Sequence, residues 1–130
     1  MLIVDTDILI DVQRGDPAAL TWFSGLTELP SVPGFVVMEL FQGCQNTRDI
    51  MLTKKLVSQL PVIWPTELEC NRALADFSKL HLSHRLGLLD ALIANCAIGR
   101  NATLCSFNEK HYLAVPGLIL LAPYVRTPKS

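Results

Sequence analysis

Short apolar runs alternate along the chain with longer segments in which hydrophobic residues recur at helical spacing. The apolar runs predict strands at residues 2–4, 29–32, 62–64, 103–106 and 118–121. The periodic segments predict helices at residues 7–14, 17–26, 35–42, 47–60, 67–80, 87–100 and 109–113. This order is typical of βα units built around a parallel sheet, so we expect an α/β fold.

Polar residues at the helix starts support these boundaries. Thr6 or Asp7 is positioned to cap the first helix, and Asp16 precedes a proline that opens the second. Thr66 and Glu69 have the spacing of a capping box at the start of the longest helix. No repeat, low-complexity stretch or linker divides the sequence, and we expect residues 1–130 to form a single domain.

Most acidic residues occupy ordinary positions. Asp49, Glu67, Glu69 and Asp76 are predicted on polar helix faces or in first helical turns. Solvent or the helix dipole stabilises a carboxylate at such positions. These residues therefore suggest no chemistry.

Asp5 and Glu39 are placed differently. Asp5 ends the first predicted strand, and the carboxyl ends of parallel strands are where ligands of open sheets bind. Glu39 is the only charged residue in the apolar helix 35–42, where an unpaired carboxylate would be costly without a partner or a metal. Alternatively, Asp5 is a helix N-cap and Glu39 occupies a narrow exposed strip of its helix.

Asp90 repeats this anomaly in the helix 87–100. Positions 86, 89, 90, 93, 94 and 97 share one side of that helix, and all are apolar except Asp90. The stripe is typical of a face turned toward a core. The alternative is that Asp90 caps the helix start near Gly87.

These three acids suggest a metal site. Clustered carboxylates repel one another and are driven to protonate unless a cation holds them together. Ligands that offer only oxygen favour Mg²⁺ or Mn²⁺ over zinc, and His81, His84 and His111 look like surface or loop residues. An acidic magnesium site at the mouth of a parallel sheet most often serves phosphate chemistry.

Composition narrows the class of protein. Half of the 130 residues are hydrophobic and 18% are charged, which excludes a disordered or low-complexity chain. The net charge of −1 is not that of a protein that binds nucleic acid chiefly by neutralising phosphates. A nucleic-acid enzyme of this composition needs metal ions or a local basic rim. A mean hydropathy of +0.34 suggests that another chain covers part of the surface, by homodimerisation or with a partner helix.

The compartment is predicted to be the cytoplasm. The start of the chain lacks a basic leader, and no apolar run is long enough to span a membrane. Cys44, Cys70, Cys96 and Cys105 form no CxxC pair and have apolar neighbours, so we expect reduced, buried thiols.

Four stretches of the sequence are similar to the motifs of one family. They are residues 3–11 (IVDTDILID), 37–43 (VMELFQG), 88–94 (LLDALIA) and 103–108 (TLCSFN), and residues 115–118 (VPGL) also fit. In this order and spacing, over nearly the whole chain, they resemble the PIN domains. Within that family they resemble the VapC-like ribonuclease toxins of bacterial toxin–antitoxin pairs.

The resemblance implies a three-layer α/β/α sandwich with a central, mostly parallel sheet of four to five strands. It implies an endoribonuclease that depends on Mg²⁺ or Mn²⁺, with Asp5, Glu39 and Asp90 as catalytic residues and metal ligands. A homodimer, an RNA substrate and a VapB-like antitoxin are the partners that it implies.

Asn108 stands where many PIN domains carry a fourth acid, although VapC-like members often have Asn there. We expect Asn108 in the catalytic set, while the missing charge leaves open whether one or two ions bind. Thr6 and Asp7 are expected to support the metal ligands or to cap a helix. We expect RNA phosphates to meet a weak basic rim made of Arg85, Lys110 and His111, unless these are ordinary surface charges.

Three other functions remain open at this point. A PIN ribonuclease in RNA processing, outside any toxin–antitoxin pair, would share every motif. A degenerate PIN domain that only binds is an alternative because Asn108 replaces an acid. The sequence Val4-Asp5-Thr6-Asp7 also resembles the start of DxD-type phosphatases, but the chain has no adjacent acidic pair for that mechanism.

Overall fold

The helices and strands alternate along the chain in the predicted order. The computed structural model describes residues 1–126, so the last four residues of the predicted domain 1–130 lie outside the described residues. The strands are β1 (Leu2–Val4), β2 (Val32–Pro33), β3 (Val62–Ile63), β4 (Thr103–Cys105) and β5 (Ile119–Leu121). The helices are α1 (Thr6–Gln13), α2 (Pro17–Ser24), α3 (Gly34–Gln42), α4 (Thr47–Val57), α5 (Glu67–His84), α6 (Leu88–Gly99) and α7 (Glu109–Tyr112).

All strand pairings in the described residues are parallel. One ladder has the order β1-β4-β5, and a second ladder joins β2 to β3. A single parallel bridge, between Ile3 and Ser31, connects the two ladders. At this bridge the Val4 amide donates to the Ser31 carbonyl over 3.1 Å, and the Ser31 amide donates to the Leu2 carbonyl over 2.9 Å. The predicted α/β sandwich, with helices flanking a parallel sheet, is confirmed.

The second strand is shorter and later than the pattern predicts. Strand pairing begins at Val32 rather than at residue 29, because Leu29 is exposed and Pro30 has no amide proton to donate. Ser31 contributes only the bridge to β1. The weak β2 strand therefore leaves the junction between the two ladders thinly hydrogen-bonded.

Two helices end three or more residues away from the predicted position. Helix α4 ends at Val57 instead of residue 60, and the Ser58 hydroxyl turns back to the Lys55 carbonyl. Helix α5 continues past residue 80 to His84 and ends where Arg85 adopts a left-handed φ of 55°. No glycine or proline interrupts the segment between residue 80 and Arg85, so helical hydrogen bonding continues.

The cap of the first helix is Asp5, so the prediction of Thr6 or Asp7 is wrong. The Asp5 backbone is extended, with φ −85° and ψ 170°, and its carboxylate accepts from the Thr6 amide. Strand β1 therefore passes into α1 through one residue. This abrupt change holds the Asp5 side chain at the carboxyl end of the sheet. The other two predicted caps, at Asp16 and at Thr66 with Glu69, are confirmed.

The core lies between the sheet and the helices. Ile3, Val4 and Leu104 of the central strands have no exposed surface, and Ile93 of α6 is 1% exposed. Burying aliphatic side chains of this size stabilises the fold by about 1.5–3 kcal/mol each. The central strands and α6 are therefore the rigid part from which the sheet edge projects.

Glu69 is buried, at 5% exposure, although the sequence places it among the solvated acids. Its carboxylate accepts from the Thr66 amide over 2.9 Å and from Arg100 Nη1 over 2.6 Å. Arg100 Nη2 also donates to the Trp64 carbonyl over 2.8 Å. A Cβ atom at Gly99 would overlap the Glu69 carboxylate, so a larger residue there would displace that side chain. The pair joins the start of α5 to the end of α6.

Within residues 1–126, none of the helices combines the length and the apolar character that crossing a bilayer requires.

All four cysteines are free, with Cys96 and Cys105 buried and Cys44 and Cys70 half-buried. Burial raises the pKa of the Cys96 thiol to about 12 and that of Cys105 to about 11. Both buried cysteines therefore stay thiols at neutral pH.

Replacing Arg100 with methionine should lower the free energy of unfolding by about 2–4 kcal/mol, because the buried Glu69 carboxylate loses its cation. Urea denaturation measures this change. Arg72, which is exposed on the same α5 helix, provides the matched control, and Arg72→Met should change stability by less than about 0.5 kcal/mol. Equal stability of the two variants would show that the buried pair is not needed.

Candidate active site

The carboxyl ends of β1 and β4 open onto a cavity of about 370 Å³. Asp5 and Asn108 reach it from the segments that follow these strands, Glu39 from α3, and Asp90 from the first turn of α6. Thr6 and Asp7 also line this cavity. The structure thus brings together all of the residues that the sequence proposes for the catalytic and supporting positions.

Asp5 is the most buried acid of the cavity, at 6% exposure. One carboxylate oxygen accepts from the Thr6 amide over 2.8 Å, and the other accepts from the Ser106 and Tyr112 hydroxyls, each over 2.9 Å. Burial raises the pKa of Asp5 and the charge of Asp90 adds to this rise, while the three hydrogen bonds oppose it. Asp5 is therefore both a helix cap and a cavity residue.

Glu39 projects from α3, whose Val36 and Leu40 face the core. Its Oε1 accepts from the Thr6 hydroxyl over 3.0 Å. Partial burial raises the pKa of Glu39, and the charges of Asp5 and Asp90 raise it further. The half-buried carboxylate thus faces other acids rather than an exposed strip of its own helix.

Asp90 lies at the third position of α6. Its Oδ2 accepts from the Gly87 amide over 3.0 Å, which is the capping role left open by the sequence. A Cβ atom on residue 87 would come within 2.8 Å of this oxygen, so glycine allows the close approach. The same carboxylate lines the cavity and lies 3.8 Å from Nδ1 of His111. Capping and cavity lining are therefore combined in Asp90, as in Asp5.

Asp7 connects α1 to the loop after β4. Its Oδ2 accepts from the Phe107 amide over 2.8 Å, and its Oδ1 accepts from the Ile8 amide over 2.9 Å. Burial and the neighbouring charge of Asp5 raise the pKa of Asp7 to about 6, against an ordinary value of 3.8. Asp7 thus adds a fourth carboxylate to the cavity and fixes the loop that carries Asn108.

Asn108 is placed by this loop. Its backbone amide donates to the Ser106 hydroxyl over 3.0 Å, and that hydroxyl in turn donates to Asp5. The Asn108 side chain lines the cavity and brings no charge to it. Its carboxamide offers both a donor and an acceptor to a bound water or phosphate.

The predicted basic rim does not line the cavity. Arg85 and Lys110 are exposed, and Arg85 turns its backbone carbonyl toward His111 Nδ1, 2.9 Å away. His111 approaches the site only through Asp90. The cation among the described residues that does line the cavity is Arg126, which the sequence analysis did not propose.

Ser106 and Tyr112 were also missed. Both donate to Asp5, and burial raises the pKa of Tyr112 well above 10, so its hydroxyl keeps the proton that it donates. Ser106 directly follows β4, beside the end of β1, and this position could have identified it. No sequence signal points to Tyr112, which lies on the short helix α7.

The cavity acids do not form a ready-made metal cage. Within residues 1–126, no three His, Cys, Asp or Glu side chains are grouped so that they could hold a metal ion. Oxygens of Asp5 and Asp90 are instead engaged by hydrogen bonds within the protein. The donor chemistry suits a hard divalent cation, because the convergent groups are carboxylates whose repulsion adds to burial in raising their pKa values.

A larger cavity of about 650 Å³ adjoins this one. It lies between α1, α3 and α4, and Ile10, Leu40, Leu52 and Leu56 are among the residues that line it. Glu39 and Ile10 line both cavities. Polar and charged side chains, among them Arg14, Asp49 and Lys55, complete the lining of this groove, which leads to the acidic cavity.

Among the solved structures with a similar fold are a toxin–antitoxin complex and VapBC assemblies. A toxin–antitoxin complex from Klebsiella pneumoniae contains a chain with 24% identity and a TM-score of 0.77, the match covering 95% of this chain and 98% of that one. VapBC-1 from nontypeable Haemophilus influenzae gives 23% identity and a TM-score of 0.76, with 92% and 96% covered. VapBC2 from Rickettsia felis, bound to a DNA fragment from its promoter, gives 22% identity and a TM-score of 0.78. That match also covers 92% of this chain and 96% of the other. These likenesses establish the fold.

A comparison with curated protein sequences found no significant match. The family model of the PIN domain matches residues 2–116, a range that contains Asp5, Glu39, Asp90 and Asn108. Tyr124 and Arg126 lie beyond the matched range. With most of its length matched and with the parallel sheet in place, this chain belongs to the PIN domain family.

Proposed function

We propose that this protein is an endoribonuclease that requires Mg²⁺ or Mn²⁺, and that it is the VapC-like toxin of a toxin–antitoxin pair. The observation that carries the proposal is the convergence of Asp5, Glu39 and Asp90 on one cavity at the carboxyl edge of the sheet. Membership of the PIN family supports a nuclease.

In the proposed mechanism, Asp5, Glu39 and Asp90 hold one or two cations. Bound Mg²⁺ would neutralise charge on the phosphodiester and favour the ionisation of water. Ser106 and Tyr112 fix the orientation of Asp5 through its Oδ2, and the Thr6 hydroxyl orients Glu39. A water would attack phosphorus in line with the departing oxygen, so that one P–O bond forms as another breaks and the departing oxygen takes up a proton in place of the one that the water loses.

The chain's own polar groups then position the reactants. The Asn108 carboxamide is free to hydrogen-bond the attacking water or a phosphate oxygen, because its side chain makes no hydrogen bond within the described residues. The Nδ1 atom of His111 lies 3.8 Å from an Asp90 carboxylate oxygen, and from this position the His111 ring is proposed to meet a flanking phosphate. Lys110 and Arg85 are proposed to attract RNA from outside the cavity, as exposed cations do.

We propose a VapB-like antitoxin as the partner, with the groove between α1, α3 and α4 as its docking surface. The similar solved structures include toxin–antitoxin complexes, and Ile10, Leu40, Leu52 and Leu56 of the groove offer an apolar surface to a packing helix. Because Glu39 lines both cavities, a segment lying in the groove could place an Arg or Lys among the acids. Such a cation would compete with metal binding.

A homodimer and a cytoplasmic location complete the proposal. Large apolar side chains such as Leu82 and Leu113 are more than two-thirds exposed, and a second copy of the chain would cover part of this surface. The free, buried thiols are compatible with a reducing compartment.

Neutralising a proposed metal ligand should abolish cleavage while keeping the fold. Asp5→Asn, Glu39→Gln and Asp90→Asn should each slow Mg²⁺-dependent cleavage of RNA by at least about a hundredfold. The measurement is single-turnover cleavage of total RNA with mapped ends, in the presence of Mg²⁺ or EDTA. Glu67→Gln, at an exposed acid of α5, is the matched control and should cleave at the wild-type rate. If all three variants cleave at the wild-type rate, the activity lies elsewhere. If the wild-type protein binds RNA but does not cleave it, the alternative of a degenerate PIN domain that only binds is favoured.

The metal-free protein should melt at a higher temperature at about pH 5 than at about pH 7.5. Asp7 has a folded pKa of about 6 against 3.8 ordinarily, so the folded state binds its proton more tightly than the unfolded state. The stability from this proton is present at low pH and is lost as pH rises through about 6. Asp5 and Glu39, whose pKa values are also raised, act in the same direction.

Differential scanning fluorimetry tests this pH dependence. Asp7→Asn should flatten the melting profile, Glu67→Gln should leave it unchanged, and Mg²⁺ should stabilise the protein more at pH 7.5 than at pH 5. A melting temperature of the metal-free protein that rises from pH 5 to pH 7.5 would contradict uncompensated repulsion in the cavity.

The antitoxin proposal is tested with the product of any small open reading frame that is found beside the gene. Leu52→Glu, in the groove, should weaken its complex with this protein by at least about tenfold, because a charge would be buried against an apolar helix face. Leu74→Glu, at a residue 70% exposed on α5, should leave the affinity unchanged. Calorimetric titration measures both. No binding by the wild type, or equal losses in the two variants, would contradict this docking surface.

A further inference from the structure

The segment after β5 folds back onto α1 and the candidate active site. The Tyr124 hydroxyl donates to Asp11 over 2.8 Å, and the Tyr124 ring packs against Phe107 and Trp22, with centroid distances of 4.9 and 6.0 Å. Phe107 belongs to the loop that also carries Asn108, and it lines the acidic cavity. The end of the described chain is therefore built into the wall of the site.

Arg126 is held rigidly by this arrangement. Its Nε and Nη2 donate to the two oxygens of Asp11 over 3.0 and 2.9 Å, and its Cζ lies 4.8 Å from the centroid of the Phe107 ring. Asp11 is 8% exposed, and although burial raises its pKa, the bonds from Arg126 and Tyr124 hold the pKa below its ordinary value. Asp11 therefore stays charged and keeps Arg126 in place at neutral pH.

The bidentate contact uses only one side of the guanidinium. Of its five N–H groups, the Nε–H and one Nη2–H bond to Asp11. The second Nη2–H and both Nη1–H groups make no hydrogen bond to the described residues, and they form a second fork at the end of the side chain. Such a fork matches two oxygens of a phosphate.

The position of this fork indicates which ligand it can bind. Arg126 lines the cavity with Asp5, Glu39 and Asp90, and it is the one cation to do so among residues 1–126. Its side chain is 42% exposed, so a ligand can reach it. An RNA strand entering the acidic cavity would meet this guanidinium as the positive group inside the wall.

We propose that Arg126 is a substrate-binding residue, whose free fork takes a backbone phosphate of RNA next to the cleaved bond. Asp11, Tyr124 and Phe107 are positioning residues that hold the guanidinium at the cavity wall. The proposal rests on the proposed ribonuclease function. It adds a substrate contact from beyond residues 2–116, the range that the family model matches.

Binding of single-stranded RNA is measured first, by fluorescence anisotropy in EDTA over a series of salt concentrations, where no cation supports cleavage. Arg126→Ala should weaken binding by about tenfold and should reduce the slope of log Kd against log salt by about 0.7. Arg126→Lys keeps the charge without the fork, so it should restore the slope and only part of the affinity. Arg72→Ala, at an exposed arginine of α5, should match the wild type.

Asp11→Asn separates substrate binding from a purely structural role. It removes the anchor but keeps the Arg126 charge, so the salt slope should stay at the wild-type value. If Arg126 only fastens the end of the chain to α1, Arg126→Ala and Asp11→Asn should lower the melting temperature equally and leave the slope unchanged. That result would overturn the proposal.

Kinetics with Mg²⁺ complete the test. Arg126→Ala should raise KM about tenfold with a smaller change in kcat, since the phosphate contact forms on binding. An unchanged KM together with unchanged binding in EDTA would also overturn the assignment. If the wild-type protein neither binds nor cleaves single-stranded RNA, the proposed ribonuclease function is wrong. This outcome is seen with the wild type alone, so it is distinct from a failure of the Arg126 proposal.

Discussion

The burial of the Asp5 carboxylate at the end of the central strand is the constraint around which the site is organised. A carboxylate with 6% exposure needs hydrogen bonds, and the Thr6 amide with the Ser106 and Tyr112 hydroxyls provides them. These contacts fix where α1 begins, where the loop after β4 runs and how α7 packs. The helix start and the loop therefore place Thr6 and Asn108 beside Asp5. The arrangement that satisfies one buried charge thus also builds the wall of the cavity.

The carboxylates of the cavity repel one another, and the hydrogen bonds of the protein relieve this repulsion only in part. Asp5, Glu39, Asp7 and Asp90 share one cavity, and the hydrogen bonds that they accept lower but do not cancel the effect of burial on Asp5, Asp7 and Glu39. By contrast, the buried acids outside the cavity have cation partners, Arg100 for Glu69 and Arg126 for Asp11. Several acids whose pKa values stay raised in one cavity are typical of a functional site rather than of a structural network.

The sequence was sufficient for the features that depend on local pattern. Strand and helix order followed from periodicity, and the convergence of Asp5 and Asn108 followed from the rule that parallel strands end at one edge. Contacts between distant segments could not be predicted in this way. Tyr112 reaches Asp5 across 107 positions and Arg126 reaches Asp11 across 115, and neither pairing leaves a periodic signal. Glu69 was misjudged because its cation, Arg100, lies 31 residues away and comes close only when α5 packs on α6.

The single bridge between Ile3 and Ser31 makes the sheet two ladders that meet at a seam. Glu39 follows β2 and belongs to one side, whereas Asp5, Thr6 and Asn108 follow strands of the other side. The acidic cavity therefore straddles the least hydrogen-bonded line of the sheet, and the Thr6–Glu39 bond is a side-chain link across it. A small slide of one ladder past the other would change the spacing of the acids without breaking either ladder. At the seam itself, the spacing of the acids therefore depends on two backbone hydrogen bonds, donated by the Val4 and Ser31 amides, and on the Thr6–Glu39 bond.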